Sequence, residues 1–274
     1  MPFQDTRRLC IHTLTTRPLS FDDILGQYPA AGISSVTVWR QTLAGRSPSA
    51  AGRQLREAGL EIASICRGGF FPSHRRVERQ QAVDENRRVI DEAAELGAPL
   101  VVLVCGADPD QSLVESRRQI QDGIAAILPH AAACGVKLAV EPLHPMYAGD
   151  RSAINTLAQA NNLCQQLPSP WLGVVLDVYH LWWDPDLEQQ IQRCGRNKKI
   201  FAFHISDWKL PVEDLLNDRG LMGEGCIPIR EIRGWVEKAG FAGYIEVEIF
   251  SHRHWAKNQS QYLQEIKSAY LQQA

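Results

Sequence analysis

The 274-residue chain has no Cys-x-x-Cys pair, no large charge excess, no linker and no long apolar run. Each absence removes a class of function. Its seven cysteines, Cys10, Cys66, Cys105, Cys134, Cys164, Cys194 and Cys226, are odd in number and far apart. That spacing suggests neither a disulfide framework nor a thiolate zinc knuckle, and the cysteines read as small buried hydrophobes in a reducing compartment. No stretch approaches the roughly 18 apolar residues of a membrane span. The opening segment Met1-Pro2-Phe3-Gln4-Asp5-Thr6-Arg7-Arg8 lacks the basic-then-apolar order of a secretory signal, so a cytoplasmic location is expected. Net charge is −2 with basic residues scattered, which gives no footprint for nucleic acid. Arg75-Arg76 and Arg87-Arg88 lie in a Glu-rich helical stretch and read as a solvated face.

What is present is a strict alternation. Strand-like runs fall near 8–14, 33–39, 60–66, 99–105, 136–141, 172–177, 200–204 and 244–249. Helical stretches fall near 20–30, 47–58, 74–97, 112–134, 152–167, 186–196, 228–239 and 256–272. Ser20 offers an N-cap, and Gly59, Gly97, Gly135 and Gly240 sit where helices should stop. Eight strand–helix pairs are the count of a (β/α)₈ TIM barrel. The doubly wound competitor lacks its Gly-x-Gly-x-x-Gly after the first strand. With no low-complexity segment, residues 1–274 are predicted to form one barrel domain.

Four of the predicted strands end on a residue suited to metal or acid/base chemistry: Glu141, Asp177, His204 and Glu248. A carboxylate at the end of a buried parallel strand is costly unless paired or coordinated, so these four ends define one expected site at the carboxyl rim, where barrel active sites are built. Side-chain alternation places Glu141 with Ala139 and Lys137, and His204 with Ala202, inside the barrel, with Phe201 and Phe203 outside. It also turns both Glu246 and Glu248 inward. Glu246 lies one layer deeper, and Lys137 is its expected partner. Three carboxylates and an imidazole suit a divalent cation better than a structural zinc does. One ion per chain is expected: Mn²⁺ first, with Mg²⁺, Co²⁺ or Zn²⁺ as alternatives. His180 and His144 follow two of the ligands on loops where they can reach a substrate oxygen. His12 ends the first strand and is a candidate for the pocket wall. Trp39, Arg67, Phe70, Phe71, Trp182 and Trp183 are expected around the same mouth, where aromatics stack on a sugar. Arg151 is placed to meet a phosphate, although no glycine loop accompanies it.

The segments Val140-Glu141-Pro142-Leu143-His144-Pro145, Val175-Leu176-Asp177-Val178-Tyr179-His180, Phe203-His204-Ile205-Ser206-Asp207-Trp208, Gly223-Glu224-Gly225-Cys226-Ile227 and Ile245-Glu246-Val247-Glu248-Ile249-Phe250 resemble the xylose-isomerase-like barrel superfamily. The closer likeness is to its sugar isomerase and epimerase branch, and it runs along essentially the whole chain. The resemblance implies that Glu141, Asp177, His204 and Glu248 are metal ligands. It implies too that Glu141 and Glu248 are the catalytic carboxylates and that His180 binds substrate. Lys209 stands near a family arginine that binds substrate, offset by one residue. The superfamily's trinuclear zinc endonucleases need a late Asp-x-His, but Gly220 occupies the histidine's place in Asp218-Arg219-Gly220.

The implied reaction begins with loss of a proton beside a sugar carbonyl, helped by a cation that stabilises the resulting enediolate. The expected function is therefore isomerisation or epimerisation of a small ketose, keto-acid or oxidised sugar. Elimination, as a lyase or dehydratase acting on a 3-keto sugar or inosose, is the alternative. A non-catalytic or partner-dependent sugar-binding subunit is the other class. A small carbohydrate is the expected ligand, and a homo-oligomer the expected assembly, with a second subunit the other possibility.

Overall fold

The computed structural model describes residues 6–274. Eight parallel strands close on themselves in chain order. They are β1 (Leu9–His12), β2 (Ser35–Trp39), β3 (Glu61–Gly69), β4 (Leu100–Val104), β5 (Lys137–Val140), β6 (Leu172–Asp177), β7 (Ile200–Ile205) and β8 (Ile245–Val247). Closure is made by β1 pairing with β8 through Leu9 and Ile245, Cys10 and Glu246, and Ile11 and Val247. The helices are α1 (Phe21–Ala30), α2 (Pro48–Glu57), α3 (Arg76–Leu96), α4 (Leu113–Cys134), α5 (Leu157–Gln166), α6 (Val178–Leu181), α7 (Leu187–Arg196), α8 (Ile229–Lys238), α9 (His252–Trp255) and α10 (Gln259–Gln273). Among the described residues, this is a single (β/α)₈ TIM barrel with short 3₁₀ turns after β1, β2 and β5.

Local chemistry accounts for the element ends. Ser20 and Asp23 form a reciprocal capping box at the start of α1. Gly97 and Gly135 take left-handed φ values of 81° and 70° and close α3 and α4. The buried positions of α8, Ile229, Ile232 and Val236, recur at helical spacing and turn one face to the barrel. The helix expected over 152–167 begins only at Leu157. Residues before it are held at the rim instead, where Gly106 N donates to Arg151 O and Ala153 N donates to Gly106 O.

Two layers of core follow from strand alternation. Ile11, Val38, Leu103, Val140, Leu176 and Phe203 face outward and pack under the helices. Val102, Ala139, Val175 and Ala202 fill the barrel interior. Phe201 departs from its expected outward position. The β6–β7 register slips between Val174 and Val175, so Ile200 and Ala202 face consecutive residues. The extra residue, Phe201, turns inward over Gly173, where an added Cβ would lie 2.4 Å from the ring. Lys137 is exposed at the opposite end of the barrel with its Nζ 4.9 Å from that ring. It therefore does not pair with Glu246.

The end of β3 is fastened to α3 by Asn86, whose side chain is buried. Its Oδ1 accepts from Gly69 N at 2.6 Å, and its Nδ2 donates to Gly69 O at 2.8 Å. Asn86→Ala strands both backbone groups, a cost of about 2–3 kcal/mol. The expected result is a fall in melting temperature of roughly 5–10 °C. An unchanged melting curve would show that water or a shifted loop satisfies Gly69 instead.

Candidate active site

The carboxyl rim opens into a cavity of about 690 Å³. Glu141, His180, Arg219 and Glu248 line it, with Asp177 and His204 fully buried behind them. One ligand atom from each of Glu141, Asp177, His204 and Glu248 falls within a group whose members all lie within 4.8 Å of one another. His204 Nδ1 is 3.1 Å from Glu141 Oε1 and 3.8 Å from Glu248 Oε2. Its Nε2 is buried without a hydrogen-bond partner. The four residues come from β5, β6, β7 and β8 or the positions just after them, four consecutive paired strands whose shared direction and curvature bring their ends together.

Arg219 ties this floor together, and it was absent from the sequence-based site. Its Nη1 lies 3.1 Å from Asp177 Oδ2 and 2.8 Å from Glu248 Oε2. Its Nη2 is 3.0 Å from His180 Nε2. The guanidinium is sandwiched between the rings of Tyr179, at 4.6 Å, and Phe250, at 5.1 Å. The backbone explains its aim. Asp207 and Gly220 exchange N–H···O bonds of 2.9 and 2.8 Å, and Arg219 N donates to Phe250 O at 2.9 Å. The loop between β7 and α8 is thus folded back on itself and tied to the segment after the neighbouring β8. The Asp207 carboxylate accepts from the N–H groups of Trp208, Gly223, Gly225 and Ile227 at 2.9–3.0 Å. A Cβ at Gly225 would stand 2.2 Å from Trp208 O, so the wrap requires glycine there.

Burial and charge pull these groups in opposite directions. Burial pushes Asp177 up to about 7, against the pull of Arg219. Burial opposes ionisation of Glu248 too, yet Arg219 and His12 hold it well below the usual carboxylate range. His180 is driven well below its ordinary value by burial and then by Arg219, so it is a neutral imidazole. His12 lies beneath the cavity between two carboxylates. Its Nε2 is 3.3 Å from Glu246 Oε2 and its Nδ1 is 3.2 Å from Glu248 Oε1. Despite burial, Glu248, Cys66 and Glu246 raise its proton affinity well above the ordinary value. Trp39 Nε1 stands 3.1 Å from the same Nδ1, so the indole and Glu248 compete for one nitrogen. Glu246 pairs with His12 and accepts from Thr37, in place of the expected Lys137.

Several expected residues lie elsewhere. Lys209 is held by Asp218 at 2.6 Å and is not among the cavity residues. Arg219 supplies the cation there. His144 packs against Trp208 with ring centroids 4.9 Å apart, and Trp182 packs against the same indole at 5.8 Å. Neither lines the cavity. Trp183 donates to His180 O at 2.8 Å. Phe71 is buried against Gly123 in the core. Trp39 and Arg67 do line the cavity, and Phe70 is exposed beside it.

A solved structure of protein SMc04130 from Sinorhizobium meliloti 1021 superposes with a TM-score of 0.94 at 44% identity, covering 98% of this chain and 100% of that one. A 3-dehydroshikimate dehydratase from Pseudomonas putida is 28% identical over 81% of this chain, which spans 35% of that protein's length. An L-ribulose-5-phosphate 3-epimerase, UlaE, from Escherichia coli O157:H7 is 26% identical over 71% of this chain and matches over 66% of its own length. Residues 29–271 match the xylose isomerase-like TIM barrel family, and the chain belongs to it.

Proposed function

We propose that this chain is a divalent-metal-dependent enzyme that moves a proton beside the carbonyl of a small oxidised sugar, keto-acid or ketose. The observation that carries the proposal is the meeting of Glu141, Asp177, His204 and Glu248 at the floor of a cavity large enough for such a substrate. The donor set fits a divalent ion. Asp177 and Glu248 share one guanidinium, and Glu141 lies beside His204. His204 Nδ1, 3.1 Å from Glu141 Oε1 and 3.8 Å from Glu248 Oε2, adds a nitrogen donor within the same cluster. Glu141, Asp177, His204 and Glu248 would hold the metal. When bound, it supplies the positive charge that acidifies the carbon next to the carbonyl.

The remaining chemistry belongs to the side chains. Glu248, kept ionised by Arg219 and His12, takes a proton from the reacting carbon. Glu141, three strands away around the closed barrel, serves the opposite face of the substrate. His180 is neutral and lines the cavity. With Nδ1 accepting from His144 N at 3.3 Å, its proton lies on Nε2, which would donate to a substrate oxygen in place of its contact with Arg219, without adding charge. Return of the proton to the same carbon gives epimerisation, and return to the neighbouring carbon gives isomerisation. The dehydratase relative favours a second outcome, in which a β-hydroxyl leaves after the same proton transfer.

Incubation in D₂O with 3-dehydroshikimate, L-ribulose 5-phosphate and a panel of ketoses should label one carbon-bound position of a single compound or compound class. Glu248→Gln should lower that exchange by about 10²–10⁴-fold while leaving the circular dichroism spectrum unchanged. Near-normal exchange in the variant would remove Glu248 from the mechanism. Arg219→Met should lower the unfolding free energy after chelator treatment by about 3–5 kcal/mol, because Asp177 and Glu248 lose their counter-ion. Added Mn²⁺ should recover much of that loss. A variant as stable as the parent in chelator would mean that the carboxylates take up protons instead.

A further inference from the structure

Above the carboxylate floor the cavity wall is cationic. Arg17, Arg46, Arg67, Arg151 and Arg219 line it, against only Glu141 and Glu248, in a chain whose net charge is −2. Arg219 is neutralised by Asp177 and Glu248. Arg46 pairs with Asp22 at 2.7 Å, and Arg17 stacks 5.0 Å from the Trp255 ring. Arg67 and Arg151 have less to satisfy them.

Arg67 is the extra residue of a bulge in β3: Cys66 pairs with Val102 and Gly68 with the next residue, Leu103. A bulge re-aims the side chain it carries, and here the chain reaches the cavity. The guanidinium lies 4.3 Å over the Phe70 ring. Among the described residues it has neither a carboxylate partner nor a side-chain hydrogen bond. Arg151 is fixed through its backbone, whose carbonyl accepts from Gly106 N at 2.8 Å, while its guanidinium stands 5.7 Å from the Tyr147 ring. The one carboxylate near it is Asp150, 3.8 Å away and 70% exposed, a pair that contributes little. The two arginines also feel one another: burial first, and then Arg151, lowers the proton affinity of Arg67. Two forked guanidiniums lining one cavity, neither held by a buried carboxylate in direct contact, suit a carboxylate or phosphate, which each can grip with two N–H groups.

We infer that Arg67 and Arg151 form an anion subsite for the substrate, so that the enzyme acts on an acidic sugar or a sugar phosphate rather than on a neutral ketose. This rests on the proposed proton-transfer function for its meaning but not for its test. Binding of gluconate, ribose 5-phosphate and ribose to the protein as purified can be followed by isothermal titration, with no turnover required. At least one of the two anions should bind on the order of tenfold to a hundredfold more tightly than ribose. Preference for gluconate marks a carboxylate site, and preference for ribose 5-phosphate marks a phosphate site. Arg67→Gln and Arg151→Gln should each remove most of the preference, with melting temperatures close to the parent's, and Arg67→Lys should keep part of it. Equal binding of all three, no binding of any, or a preference that survives both glutamine variants would overturn the subsite. Solvent exchange into a neutral ketose alone would leave the proton-transfer reading intact while removing this one.

Discussion

Seven ionisable side chains, His12, Glu141, Asp177, His204, Arg219, Glu246 and Glu248, share the upper barrel at no more than 4% exposure each. Charges out of water are tolerated only when each finds an opposite partner and hydrogen bonds. Here the partners form a connected set. Arg219 sits between Asp177 and Glu248, His12 between Glu248 and Glu246, and His204 against Glu141. The set still carries more carboxylates than cations. That imbalance at the floor of an open cavity is the constraint from which the functional reading follows, because a divalent ion is the simplest way to complete it.

The barrel makes the arrangement possible. Glu141, Asp177 and His204 lie at the ends of strands whose other inward positions are small or apolar, such as Ala139, Val175 and Ala202. On the other side of the barrel Thr37, itself bonded to Ser64, supplies the polar partner that Glu246 needs below the rim. The loop carrying Arg219 is the complement. It is fixed by main-chain bonds to β7 and to the segment after β8, and the Asp207 carboxylate gathers its N–H groups. The cation on that loop holds Asp177 and Glu248 and touches His180, so the proposed metal ligands and the proposed substrate contact share a single guanidinium. Above it the wall turns cationic, which sets the proposed anion subsite apart from the carboxylates proposed to move the proton.

Strands were legible in the sequence because a buried parallel strand is a short apolar run, and the parity of that run locates its polar terminal residue. Glu141, Asp177, His204 and Glu248 were found in this way, and their common end of the barrel follows from strand direction alone. Arg219 carried no such signal. It lies in a long irregular connection where neither period applies, and its position depends on backbone pairing with Asp207 and Phe250 that no local pattern encodes. Lys209, one residue from the position of a family arginine, drew the expectation, but it pairs with Asp218 and does not line the cavity. Phe201 shows the limit of parity, since one register slip reversed its face. The same device, a bulge in β3, aimed Arg67 into the cavity.

The measurement that bears most directly on this account is elemental analysis of the dialysed protein beside a His204→Ala variant of unchanged fold. The account predicts about one Mn, Mg, Co or Zn per chain in the parent, and loss of that metal in the variant. No metal in either protein, even after soaking with each ion, would contradict it and leave a barrel that binds its ligand without converting it.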